Sequence, residues 1–215
     1  MPAREVLFFE KAGRGCTDQV VKAVAHYVEK ERPGHVLVAS VTGQTALKVA
    51  RALRASKTHV ICVTVSPHAA ATYGPQQLLT PGRRRELEKL GVPILHAVPS
   101  TFGETLDYSL ARYGYRPPSW VVAMTLWAVG GYGLKTAVEI ILTATDAATI
   151  PRFTEVVSVA GCGRGADTAI VARSPFAARF FSENRDWRFE IKEILAMPRN
   201  KLWYRHTIAE WEVGI

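Results

Sequence analysis

Two runs, HVLVAS at 35–40 and HVICVTV at 59–65, are apolar without alternation, and between them Ala46, Leu47, Val49, Ala50 and Leu53 recur at helical spacing. A strand with no polar face must be covered on both sides, as strands of a parallel sheet are. Strand, helix and strand in close succession form a βαβ unit, and the rest of the chain extends it. Val6 to Phe9 reads as a first strand. Thr17 caps a helix carrying Val20, Val21, Val24, Ala25 and Val28, and Pro33-Gly34 stops it. Residues 66–82 hold three prolines and read as a long loop. Thr80 and Pro81 then start a short helix that leads to the strand VPILHAV. Two helices are expected between Thr101 and Val129 and a third from Tyr132 to Ala148, separated by Gly130, Gly131 and Gly133. TEVVSVAG, ADTAIVAR and FEIKEILAMP are the closing strands. This alternation predicts an α/β fold with three α/β/α layers around a mostly parallel sheet.

At 215 residues the chain is expected to form a single domain over 1–201, with 202–215 as a C-terminal extension. Lys and Arg outnumber Asp and Glu by 27 to 19, a net charge of +8 that favours anionic partners without choosing among them. Near the N-terminus the apolar run ends at Phe9, too short for a secretory signal. The uncharged stretch from Pro117 to Leu134 has an apolar centre of about ten residues where a span needs about twenty, so it reads as a buried helix. Three cysteines, Cys16, Cys62 and Cys162, show no C-x-x-C spacing and predict neither disulfides nor a metal site. A cytoplasmic protein with no membrane partner and no metal is the expectation.

Ligands of open α/β sheets gather beyond the carboxyl ends of the strands, where helix amino ends present free N–H groups and partial positive charge. The turn between HVLVAS and its helix falls there. Ser40, Thr42 and Thr45 carry hydroxyls, Gln44 follows them, and Gly43 lets backbone come close to a phosphate. Equally, Thr42 and Gly43 could do no more than cap and turn. A second candidate is GCGRGADT, in which Gly161, Gly163 and Gly165 allow consecutive N–H groups to face an anion. Arg164 could clamp that anion, and Asp167 and Thr168 could meet ligand hydroxyls; a plain glycine hairpin is the other reading. Glu10 and Lys11 end the first strand and could line the same mouth.

VLVASVTGQTALKVARALR resembles a stretch of the pyruvate kinase C-terminal domain, in which a Thr/Ser-Gly-x-Thr/Ser-Ala turn can hold a phosphate of an allosteric sugar bisphosphate. The matching residues are Ser40, Thr42, Gly43, Gln44 and Thr45. A family of small stand-alone proteins of undefined function, mostly archaeal and bacterial, is similar over more of the chain: in FFEK-G, VAS-TG-TA, AVEI-L-A-D-A-IP, VAGCGRGADTAIV and KEILAMPRNK, from Phe8 to Lys201. Cys162 and the tail from Leu202 depart from its pattern. The resemblance implies a pyruvate kinase C-terminal domain-like sheet of about five strands with the last antiparallel, and no pyruvate kinase activity.

The function expected from these readings is binding of a phosphorylated small molecule, such as flavin mononucleotide, another nucleotide or a sugar phosphate, by a sensor or an enzyme. The alternative is a nucleic-acid-binding module using the basic surface. Nucleic acid is disfavoured because the basic run Arg83 to Arg85 and the aromatics Trp203, Tyr204 and Trp211 are scattered. Those tail aromatics are expected to pack against the body or a second subunit in a homo-oligomer. Glu139, Thr143 and Asp146 share a helix face, where capping or salt bridging is the simpler reading. Cys162 lacks a neighbouring His or Asp to make it a nucleophile, and His68 and His96 have no metal-ligand spacing.

Overall fold

A computed structural model of the chain describes residues 5–70, 78–96, 102, 110, 113–115, 117–163 and 165–201. The strands are β1 (Leu7–Lys11), β2 (His35–Ala39), β3 (His59–Thr64), β4 (Ile94–His96), β5 (Glu155–Ala160), β6 (Thr168–Arg173) and β7 (Ile191–Asn200). The α-helices are α1 (Thr17–Glu31), α2 (Gln44–Ala52), the short α3 (Pro67–Ala70), α4 (Pro81–Lys89) and α5 (Pro118–Asp146). The strands form one sheet in the order β1-β7-β6-β5-β2-β3-β4.

Alternation along each strand divides the core into two layers, because successive side chains point to opposite faces. Val36, Val38, Val60, Cys62, Val157 and Val159 meet the apolar stripes of α1, α2 and α4. Leu37, Ile61, Val63, Val156, Ala160 and Ile170 meet α5 on the other face. Each buried Val, Leu or Ile contributes about 1.5–3 kcal/mol of transfer free energy, which is why strands without a polar face are stable only in this arrangement. The three-layer α/β fold is therefore as the sequence led one to expect.

Two details differ. The sheet contains all seven of the strands read along the chain, where the resemblance implied about five. The last strand, β7, does pair antiparallel with β6, yet it runs parallel to β1. The reversed strand among the seven is β6, because a short loop returns it directly alongside β5, and β7 then restores the common direction. Insertion of β5, β6 and β7 between β1 and β2 sends the β1–α1–β2 connection across much of the sheet.

The glycines at 130, 131 and 133 separate two helices, as expected, and no loop intervenes: Gly131 leaves helical geometry, at φ 77°, ψ −179°, and the two halves meet there in a kink. Their combined span, α5, runs 29 residues. It is long and apolar enough to cross a membrane by length and composition, but half of its most apolar window is buried inside the protein. Its second half is the central helix of one layer: the Ser158 hydroxyl donates to the Ala137 carbonyl at 2.8 Å. Lys135, only 1% exposed, pairs with Glu139 at 2.7 Å and lies 5.6 Å from the Trp127 ring and 5.8 Å from that of Phe102. Asp146 accepts a hydrogen bond from Ala177 N at 3.1 Å. Glu139 and Asp146 thus have the salt-bridging and capping roles that their spacing suggested.

Candidate ligand site at the carboxyl edge

The register of the sheet decides which loops meet. Val38 of β2 lies opposite Val159 of the parallel β5, so the chain leaves the two strands side by side, as Ser40 and Gly161. Lys11 of β1 lies opposite Asn200 of β7 at the same edge, and Thr168 opens β6 opposite Ala160. Of the expected site residues, Ser40 to Thr45, Gly161, Gly163, Gly165, Asp167, Thr168, Glu10 and Lys11 all occupy this edge. Arg164 lies outside the described residues.

Three helices begin here. The Thr17 hydroxyl, at the start of α1, donates to the Arg14 carbonyl at 2.9 Å and accepts from Ala166 N at 3.0 Å, joining α1 to the glycine loop. Ser40 and Thr42 close the turn into α2. The second half of α5 starts where a Cβ on Gly133 would stand 2.2 Å from Thr168 Oγ1 and 2.6 Å from Asp167 Oδ1, so only glycine permits that approach. The partial positive ends of three helix dipoles therefore point at one rim.

Asp167 organises the glycine loop. Its side chain is 1% exposed and accepts from Gly13 N at 2.9 Å and from the Thr168 hydroxyl at 2.8 Å. Around it the backbone is close packed: Gly165 has φ 76°, and a Cβ there would lie 2.3 Å from Thr17 Oγ1 and 2.9 Å from Arg14 Cα. A Cβ on Gly161 would lie 2.4 Å from the Gly165 carbonyl oxygen. Burial, with Asp167 second, pushes the Cys162 thiol up to about 12 and also raises Cys16. A protonated thiol is a poor nucleophile, so Cys162 is placed as a packing and hydrogen-bonding group. Burial lowers the pKa of Lys201, while Asp167 opposes that shift and ties this cation electrostatically to the loop. Gly163, by contrast, has φ 90° with open space around it.

The 40–45 turn is built more loosely. Gln44 N donates to Thr42 Oγ1 and Ala46 N to Ser40 Oγ, each at 3.3 Å, long for a hydrogen bond. Gln44 is exposed, whereas Ser40, Gly43 and Thr45 are buried. Gly43 serves packing rather than open approach: at φ 79°, its missing Cβ would fall 2.5 Å from Leu79 Cδ1. Leu79 and α4 thus cover that side, and they deliver a cation that sequence reasoning missed. Arg83 donates through Nη1 to the Thr42 carbonyl at 3.3 Å. The signal was present, since Thr80 caps α4 by accepting from Arg83 N and so fixes Arg83 in its first turn, but nothing in the sequence tied that turn to residue 42.

His96 faces Arg84 at 3.1 Å and the Val65 carbonyl at 3.3 Å. No group of three or more His, Cys, Asp or Glu able to hold a metal ion occurs among the described residues. The site therefore offers hydrogen-bond donors, helix amino ends and the cations Lys11, Arg83 and Lys201, a set suited to an anion with hydroxyl groups.

No family model matches the chain. Among solved structures it is similar to O-ureido-L-serine synthase, at 16% identity over 65% of this chain and 49% of that one, with a TM-score of 0.28. A variant of that enzyme with O-ureido-L-serine bound gives 17% identity, 67% and 50% coverage, and a TM-score of 0.28. The chain spans about half the length of those proteins. A likeness this slight carries no functional argument.

Proposed function

We propose that the protein binds a phosphorylated small molecule at the carboxyl edge of the sheet, as a sensor or as an enzyme acting on that ligand. The observation that carries this reading is the meeting of three helix amino ends with Arg83 at the rim formed by Ser40 and Gly161. The phosphate sits against Thr42, Gln44 and Arg83, where the amides are held only by long bonds to side-chain hydroxyls and exchange them for phosphate oxygens. Glu10, Lys11 and Gly163 occupy the far side of the same edge, toward the polar end of the ligand. Flavin mononucleotide, another nucleotide and a sugar phosphate are the ligand classes this set suits. The resemblance to the stand-alone family related to the pyruvate kinase C-terminal domain supports the same turn. Cytoplasmic residence and assembly into a homo-oligomer belong to this proposal.

The test is the mass and absorbance spectrum of whatever copurifies with the native protein, followed by calorimetric titration with flavin mononucleotide, ribose 5-phosphate and inorganic phosphate. Binding of one of them that weakens in Arg83→Ala is the expected result. Failure of all three, with nothing copurifying, overturns the proposal.

A further inference from the structure

At the end of the sheet opposite the 40–45 turn, the segments flanking β5 and β6 bring together residues that are remote in the chain. Phe153 and Trp187 stack with centroids 6.0 Å apart and planes 19° from parallel. The Arg152 guanidinium lies 5.9 Å from the Phe153 ring and 5.8 Å from Phe176, and the Arg179 guanidinium lies 5.4 Å from Trp187. The result is a row of cation, two stacked rings and cation. Beside it Phe181, 77% exposed, stands edge-on to Phe180, which stacks on Phe189 at 5.0 Å.

The row is rigidly held. Phe153 has φ 59°, a left-handed conformation that costs an aromatic residue free energy and persists only when neighbours enforce it. Those neighbours are visible. Phe153 N donates to the Ser174 carbonyl at 2.8 Å, and the fully buried Ser174 hydroxyl bonds the Pro151 and Thr154 carbonyls at 2.8 Å and 3.0 Å. Asp146 fixes Ala177 N, the start of the segment that carries Arg179 to Phe181. Among the described residues, Arg152, Arg179 and the exposed Arg188 have no carboxylate within 4 Å, whereas Glu190 is taken by Arg173 and Lys192. Asp146, Glu155, Glu183 and Asp186 are the exposed acids nearby in the chain.

We propose that this arginine–aromatic face binds a single nucleic-acid strand. The faces of Phe153 and Trp187 are taken by each other and by the two guanidinium groups, so unpaired bases stack on the outer guanidinium planes and on the exposed Phe181 ring. Arginines without a carboxylate partner supply the phosphate contacts. A preformed row lowers the cost of ordering on binding. An acidic protein segment would use the charges but has no need of rings stacked between guanidinium groups, and a second copy of the chain would bring the same positive charges against each other. The face lies at the far end of the sheet from the proposed phosphate site, so each stands or falls alone.

The experiment is fluorescence anisotropy with end-labelled oligo-U and oligo-dT of about twelve nucleotides, within the usual reach of one binding groove. Saturable binding at about 50 mM salt is expected, with a log–log salt slope near −2 for about three neutralised phosphates. Phe181→Ala should weaken binding about tenfold and R152E/R179E about a hundredfold. R179K, which keeps the charge and loses the plane, should fall between wild type and the double variant. Circular dichroism melting should show each variant folded, and excess flavin mononucleotide should not displace the strand. Stronger binding of one oligomer says whether RNA or DNA is preferred. Absence of binding by both, indifference to Phe181→Ala and R152E/R179E, or equally tight binding of poly-glutamate would each overturn the proposal.

Discussion

The two loops that leave β2 and β5 start side by side and differ in what they do with their polar groups. The 161–167 loop turns them inward: Asp167, Gly13 N, Thr17 and Thr168 satisfy one another in a buried network, and Gly161 and Gly165 are the contacts that let backbone close on backbone. Residues 40–45 leave amide groups on long, local bonds with Gln44 exposed and a guanidinium alongside. A glycine-rich sequence here is therefore mostly a clasp, and the more modest threonine turn is the part with capacity left for a ligand. Glycine content by itself does not distinguish an anion nest from tight packing; the neighbours of each missing Cβ do.

The contrast can be broken in four ways. If the clasp is sealed, Cys162 keeps its proton: with its pKa raised from 9.0 to about 12, the neutral thiol is favoured. Alkylation by iodoacetamide, which needs the thiolate, should then run about a thousandfold slower at pH 8 than for a free thiol. It should keep rising with pH up to about 12 instead of levelling above 9. Peptide mapping by mass spectrometry reads this directly, and ready modification at pH 8 would show an open loop.

Asp167→Ala removes the acceptor of one buried and one part-buried donor and should cost about 3 kcal/mol in urea unfolding. A loss under about 1 kcal/mol would mean that the network is incidental to stability. Gly165→Ala meets both a left-handed backbone and two close contacts, for about 2 kcal/mol, whereas Gly163→Ala meets the backbone term alone, for about 1 kcal/mol. Equal losses at the two positions would dissolve the distinction between packed and open glycines. Smallest of all, Thr42→Ala should leave stability within about 0.5 kcal/mol and weaken phosphate-ligand affinity by about 1 kcal/mol, roughly fivefold by calorimetry. The reverse pattern, stability lost and affinity kept, would make the turn a structural one.

What the sequence determined by itself is local or periodic. Unbroken apolar runs required strands covered on both faces, and helical stripes such as Val20, Val24 and Val28 named the faces of the cover. Thr80 with Pro81 marked the start of α4, and glycines marked turns. These follow from side-chain period, backbone freedom and capping, all of which act within a few residues. Tertiary structure alone decided the insertion of three strands between β1 and β2 and the reversal of β6. It also put Arg83 on residue 42, Leu79 over Gly43, and Arg152 and Phe153 beside Trp187. The physical reason is that register and strand order are set by how whole layers pack, and a contact between residues 34 positions apart leaves no period in the chain to be read.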